Sequence, residues 1–335
     1  MSIKLYSSRF SERFGLTTPI ALAPMAFGTG GSLAAAGAKA GALALIGGAY
    51  GDLEFTSREY LAAEEALEDD PVAFARLGCG FITWKLEEDA SALDWVLDRP
   101  QRPAALMLSF GDPTTISRRI IDAGIPLMCQ VQTMAQVPEA IAAGANVIVA
   151  QGAEAGGHGM NALDGRSTFT LVPEIADYLA AQAPDVQLLA AGGIADGRGL
   201  AAALILGADG ALVGSRLWAC AESLAPEAAI AEAIAANGDG TARSKVFDIL
   251  REKNWPAHFD FRAIRNAIHR EWEGRIGELT ADPHDAIEDY KAGVATCDYS
   301  RAHVTVGEGT GLIKDAPKAA DIIEAMSAQA RQLLG

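Results

Sequence analysis

Eight short apolar runs, each ended by a glycine- or proline-marked turn and followed by a helical stretch, constrain this chain more than any other feature. They cover 20–25, 42–46, 77–83, 104–109, 126–131, 147–151, 187–192 and 211–215. Alanine-rich segments between them, such as 32–40 and 199–206, carry the periodicity of amphipathic helices. Runs that are apolar throughout, rather than alternating, suit strands buried on both faces. Eight alternating units predict an α/β fold, a (β/α)8 TIM barrel, with an open doubly wound sheet as the alternative. After residue 215 the pattern changes. Segments 226–236, 241–252, 260–278, 284–292 and 317–334 read as helical, and a glycine-rich loop runs from Val306 to Asp315. The predicted division is a barrel over 1–219 and a helical region over 220–335. That region covers the barrel mouth, and its last helix packs back on the barrel.

Composition narrows the class. At 335 residues and 50% hydrophobic, the chain can bury a large core. Its net charge of −16 argues against nucleic acid and anionic membranes as partners. No apolar run reaches the roughly 18 residues of a membrane span. The first residues, MSIKLYSSRFSERFG, lack the apolar core of a signal peptide. Cys79, Cys129, Cys220 and Cys297 are scattered without metal-ligand spacing, and read as reduced thiols of a cytoplasmic protein. Self-association into a homo-oligomer is compatible with all of this.

In a (β/α)8 barrel, chemistry gathers at the C-terminal ends of the strands. The sixth run ends in VIVAQGAEAGGHGMN, a polar, glycine-dense loop that carries His158. An imidazole held there moves protons near neutral pH. The acidic stretch 59–71 reads as a solvated helix face. The seventh and eighth runs end in Gly192-Gly193 and Gly214-Ser215, turns whose N–H groups suit a phosphate. Such turns also serve purely structural ends. There is no Walker motif. Gly28-Thr29-Gly30-Gly31 resembles a dinucleotide fingerprint loosely but lacks an acidic ribose partner, so a mononucleotide fits better. No metal is expected, because Gly156 and Gly157 prevent Glu154 and His158 from sharing a helix face. His258, His269, His284 and His303 read as surface or packing residues.

Four blocks together resemble the nitronate monooxygenase family: APMAFGTGGSLAAAGAKAGALALIGG, AQGAEAGGHG, AAGGIADGRGLAAALILGADGALVGSR and NWPAHFDFRAIRNAIHREWEG. The resemblance spans about 18–330. It implies FMN held noncovalently on the barrel, and oxidation of an alkyl nitronate by O2 to a carbonyl compound and nitrite. It places the family histidine on His158. Flavin-ring contacts fall on Ala23, Pro24, Met25 and Ala26, and polar strand-end positions on Gln130 and Gln151. Gly156 and Gly157 precede the histidine, and the phosphate loops fall on Gly192, Gly193, Gly214 and Ser215. Some members carry a lysine at the position of Gln130, and an asparagine where this chain has Thr83 and Trp84. Two rival readings share these elements. One is a flavin-dependent enoyl reductase acting on acyl-carrier-protein thioesters with NAD(P)H. The other is a flavin-binding protein without turnover.

Overall fold

The computed structural model describes residues 8–335; residues 1–7, part of the stretch read above for a signal peptide, lie outside it. Eleven strands occur among the described residues. They are β1 (Ile20–Leu22), β2 (Leu43–Gly47), β3 (Leu77–Ile82), β4 (Leu106–Ser109), β5 (Leu127–Val131), β6 (Val147–Gln151), β7 (Gly157–Met160), β8 (Gln187–Ala191), β9 (Gly210–Val213), β10 (Thr241–Ser244) and β11 (Phe259–Ile264).

Eight of them close a parallel barrel in the order β1-β2-β3-β4-β5-β6-β8-β9, with β9 returning to β1. These are the eight apolar runs. Alternate residues divide between two layers. Leu43, Leu45, Met107, Met128, Val147, Val149, Leu189 and Leu212 pack inside the barrel. Ala44, Ile46, Cys79, Leu106, Leu108, Ile148 and Ala190 face the helices. Both faces are therefore dry, which is why the runs read as continuous. Phe10 and Phe14, from the helix Arg9–Arg13 and its end, join the inner layer and plug the N-terminal end of the barrel.

The helix Ala319–Leu334 packs against Gly197–Ile205 and Gly31–Lys39. It thus takes the eighth place in the outer ring. The stretch 219–318 is an excursion made within the eighth β/α unit.

That excursion corrects the helical expectation. Residues 241–244 and 259–264 are strands, and with β7 they form an antiparallel sheet in the order β10-β11-β7. The reason is legible afterwards. Phe259-Asp-Phe-Arg-Ala-Ile264 alternates buried and half-buried residues at period two. Read inside a longer segment, that alternation was masked by the helix-like stretch that follows it. Helices Val246–Leu250, Ala267–Trp272, Ile276–Ala281 and His284–Thr296 complete this layer. Its own core includes Phe247, Leu250, Phe261, Ile268, Leu279, Ile287 and Tyr290.

Candidate active site

A cavity of about 720 Å³ opens at the C-terminal ends of the barrel strands and runs under the β10-β11-β7 sheet. Its size and largely apolar wall are those of a small-molecule or cofactor site. Ala23, Pro24, Met25, Ala26, Gln130, Gln151, Gly156, Gly157, His158, Gly192, Gly193, Gly214 and Ser215 all line it. The structure therefore brings these strand-end positions together around one cavity, whereas Thr83, Trp84 and the Gly28–Gly31 loop do not line it.

The loop after β1 forms one wall. The Met25 N–H donates to the Ala23 carbonyl at 2.9 Å, and the Thr29 hydroxyl donates to the same carbonyl at 2.8 Å. Pro24 packs against Gly80 of β3, where a Cβ would come within 2.3 Å of the proline ring. Only glycine permits that approach. On the opposite side, Gln151 ties three strand ends together. Its Oε1 accepts from Gln130 Nε2 at 3.2 Å and Gln132 Nε2 at 3.0 Å, and its Nε2 donates to the His158 carbonyl at 3.0 Å. Its amide is committed within the protein, whereas Gln130 keeps its carbonyl oxygen for the cavity.

His158 is not in a loop, as its glycine neighbours suggested. It lies in β7 and pairs with Phe261 of β11. Both partners of its main contact are deeply buried. His158 Nε2 sits 2.7 Å from Asp248 Oδ1, with side chains 6% and 3% exposed. Trp255 stacks on the imidazole at 3.4 Å between ring centroids and 11° between planes. Phe261 packs at 4.8 Å and Phe110 at 6.3 Å. Phe110 reaches this place with a left-handed backbone, φ 63°, at the end of β4. Such a conformation costs a bulky residue about 1–3 kcal/mol and clusters at functional sites. Burial pushes the Asp248 carboxyl up to about 7, against the pull of Arg251 and Lys245. Burial, then Arg251, Arg243 and Lys245, hold the His158 imidazole well below its ordinary value. The imidazole is thus a neutral base at physiological pH.

Gly192 and Gly193 turn the chain after β8 with φ of 105° and 73°. The helix that follows is not available to a ligand. The Gly199 and Arg198 N–H groups donate to Asp196, and the Gly197 N–H donates to Gln329 of the last helix. The phosphate expectation therefore narrows to the double-glycine turn itself, which lines the same cavity as Ser215. The Ser215 hydroxyl accepts the Gly307 N–H at 2.9 Å, and its own proton stays free for another acceptor. Gly307 and Gly309, from the 306–315 loop, line the same end of the cavity.

Comparison with known proteins decides the family. The family model for nitronate monooxygenase matches residues 81–329. A nitronate monooxygenase from Neurospora crassa is 32% identical over 92% of this chain and 88% of its own length. The nitronate monooxygenase npaC of Metarhizium robertsii is 32% identical over 93% and 90%. The chain belongs to the nitronate monooxygenase family. It is accordingly an oxidoreductase. Among solved structures, FabK from Thermotoga maritima superposes with a TM-score of 0.82 at 24% identity, covering 98% of this chain and 97% of that one. A nitroalkane oxidase from Streptomyces ansochromogenes superposes with 0.76 at 23% identity, covering 97% and 100%. These two likenesses show the shared barrel fold.

This nitronate monooxygenase family member also carries site residues that the sequence did not disclose. Asp248 sits in a segment read as helix, with no motif to mark it, and Trp255 lies in the NWP of the fourth resemblance block, with no role implied for it there. His303, read as surface or packing, lines the cavity and is joined to Tyr290 through Nδ1 at 2.7 Å. Burial lowers its imidazole to about 3 and raises the Tyr290 phenol to about 12. Arg251 lies over the Phe261 ring and donates to the Tyr50 hydroxyl at 3.2 Å. Glu59, counted in a solvated face, is buried and accepts the Gly31 N–H at 3.0 Å. That bond occupies an amide of the loop that loosely resembled a dinucleotide fingerprint. Among the described residues no cluster of three or more His, Cys, Asp or Glu could hold a metal, and no helix is long and apolar enough to cross a membrane.

Proposed function

We propose that this chain binds FMN across the barrel strand ends and oxidises alkyl nitronates with O2, giving a carbonyl compound and nitrite. The observation that carries the reading is a buried imidazole at the wall of a cavity of about 720 Å³ at the barrel strand ends. The fit rests on this chain's own residues. The backbone at Gly193 is open: an added Cβ would meet nothing closer than Glu154 Cβ at 3.5 Å, so a ligand can approach the turn. A phosphate there would take the turn's N–H groups and the Ser215 hydroxyl. Pro24, Met25 and Ala26 offer a flat, mostly apolar wall for a ring, and Gln130 offers a polar edge. FMN, when bound, supplies the electron transfer and oxygen chemistry that side chains cannot.

The protein's part is then positioning and proton transfer. His158 takes the carbon proton of a neutral nitroalkane; a preformed nitronate no longer carries it. Trp255, Phe110 and Phe261 keep the imidazole dry. We assign the barrel, 1–219, to the cofactor, and the region from 220 onward to covering the mouth.

The test is direct. The purified protein should be yellow, and chromatography of the flavin released on denaturation should give FMN. Mixed with propyl-2-nitronate under air, it should release nitrite. FAD, or no flavin after saturation with FMN, removes the cofactor assignment. Consumption of NADPH with a crotonyl thioester, and no nitrite, would replace this reading with an enoyl reductase. Flavin without either turnover would leave a binding protein.

A further inference from the structure

We infer that Asp248 is the positioning residue for His158: its carboxylate holds the Nε2 proton, so that the bare Nδ1 faces the cavity as the base. The inference rests on the proposed proton transfer, but its first test does not.

The geometry has three parts. Nε2 is taken by Asp248 Oδ1 at 2.7 Å. The ring plane is fixed by Trp255, stacked at 3.4 Å, and by Phe261. Nδ1 has no protein partner, yet it is not among the enclosed atoms lacking one, so it meets the cavity that His158 lines. A neutral imidazole carries one proton, and which nitrogen holds it follows from the bond the other makes. A carboxylate can only accept. With Asp248 ionised, the proton must be on Nε2 and the lone pair on Nδ1. When Nδ1 takes a proton from the substrate carbon, the C–H electron pair stays with the substrate, and the imidazolium forms beside a carboxylate. The same logic orients the histidine of Ser-His-Asp enzymes. Asp248 Oδ2 has no partner of its own, so this carboxylate is committed to the imidazole alone.

A pH signature follows. A protonated Asp248 would donate to Nε2 and drive the imidazole proton to Nδ1, which blocks the base. Because burial raises the Asp248 carboxyl to about 7, proton abstraction should rise with pH through about 7. The charged groups facing the pair are Lys245 and Arg251, which flank the helix that carries Asp248, Arg243 from β10, and Asp260 from β11. All but Asp260 are cations, and they favour the ionised carboxylate.

The first test reads the imidazole itself. In the FMN-loaded protein with 15N-labelled histidine, the resonance lost in His158→Asn identifies His158. Above pH 7 it should show a protonated Nε2 and a bare Nδ1, and this pattern should titrate near 7. The reverse tautomer overturns the inference whatever the enzyme's activity. The second test uses Asp248→Asn, whose amide cannot ionise. Nitrite release from a neutral nitroalkane should fall by roughly 10²–10⁴-fold in kcat, with KM nearly unchanged, and the limb near pH 7 should disappear. Preformed nitronate should be affected less than tenfold. Asp248→Glu, which keeps the charge, should restore part of the rate and a pH limb. If Asp248→Asn holds FMN and keeps both the limb and the rate, Asp248 is only a packing partner. If that variant does not fold, the tautomer in the wild-type protein decides. Failure of both substrates in the wild type would strike the proposed function and leave the tautomer measurement standing.

Discussion

The barrel and the excursion of 219–318 are built on opposite rules, and the active site lies where they meet. Barrel strands are buried on both faces, pair in parallel, and present backbone turns at their ends. The strands of the excursion alternate, pair antiparallel, and present side chains. β7 belongs by sequence to a barrel loop, yet it pairs with β11. His158 is thus carried by one region and held by the other. The lesson is a division of labour. In the proposed reading the barrel offers glycine-rich backbone to a cofactor. The excursion supplies the carboxylate, the stacked indole and the imidazole of His303.

The strongest way to break that division is to remove the shared residue. His158→Asn should keep FMN and fold, because the cofactor turns lie elsewhere. Turnover of neutral nitroalkanes should fall by roughly 10²–10⁴-fold, about 3–5 kcal/mol of barrier. Preformed nitronates should lose much less. Steady-state nitrite release with both substrate forms, at matched flavin content, reads the difference. Equal, wild-type rates for both forms would end the role given to His158.

The converse variant lies in the barrel. Gly193→Asp puts a carboxylate against the proposed phosphate site and a side chain where φ is 73°. Backbone strain of about 1–3 kcal/mol, plus like-charge repulsion, should weaken FMN binding by roughly ten- to a hundredfold. Titration of the apoprotein with FMN, followed by flavin fluorescence, measures it. High salt should not restore affinity, because the clash is also steric. Refilled with excess FMN, this variant should retain the ratio of nitroalkane to nitronate rates that His158→Asn loses. If the two variants change the same quantity, the two regions do not divide the work.

The same contrast explains what the sequence disclosed. All eight barrel strands were legible because double burial leaves unbroken apolar runs, and Gly192-Gly193 was legible because tight turns demand glycine. Asp248 was not. One aspartate in SKVFDILREK looks like any exposed helical acid, and only the pairing of β7 with β11 brings it to His158. β11 itself announced its period in FDFRAI, but the helix-like residues behind it hid the boundary. His303 carries no local mark, and its site is assembled from Tyr290 and Phe261, both distant in sequence from the barrel strand ends.

His303 gives a prediction on stability. Its imidazole titrates near 6.5 when unfolded and near 3 when folded. Between those values the unfolded chain binds a proton that the native state refuses. Stability is therefore full above about pH 6.5 and falls as pH drops towards 3. One edge of the ring meets the cavity, so roughly 1–2 kcal/mol is the expected loss rather than the full shift. His303→Gln keeps an acceptor for the Tyr290 hydroxyl and cannot titrate. Urea unfolding at pH 7 and pH 5 should show a smaller acid loss in the variant. His158 contributes to the same limb, so the slope should diminish, not vanish. An unchanged slope would show that His303 is solvated enough to titrate normally.

The smallest effect is expected inside the excursion, where its glycine-rich loop meets its sheet through a partly exposed ion pair. Glu308 Oε1 lies 2.9 Å from Arg262 Nη2, with side chains 44% and 12% exposed. Glu308→Gln removes the charge and little else. The Glu308 N–H still donates to the Glu154 carbonyl at 2.9 Å, and the Gly307 N–H still donates to Ser215. Arg262 keeps its bonds to the Ala153 carbonyl and the Thr241 hydroxyl. Pairs of this exposure contribute about 0–1 kcal/mol, so global unfolding should scarcely move. Amide exchange should nevertheless quicken locally, over 307–312, because the loop loses one of its few contacts with the sheet. If exchange quickens throughout β10 and β11 as well, the pair holds the excursion together as a whole. The loop and the sheet would then open as one unit, and the boundary drawn here between backbone and side-chain duties would have to move to β7.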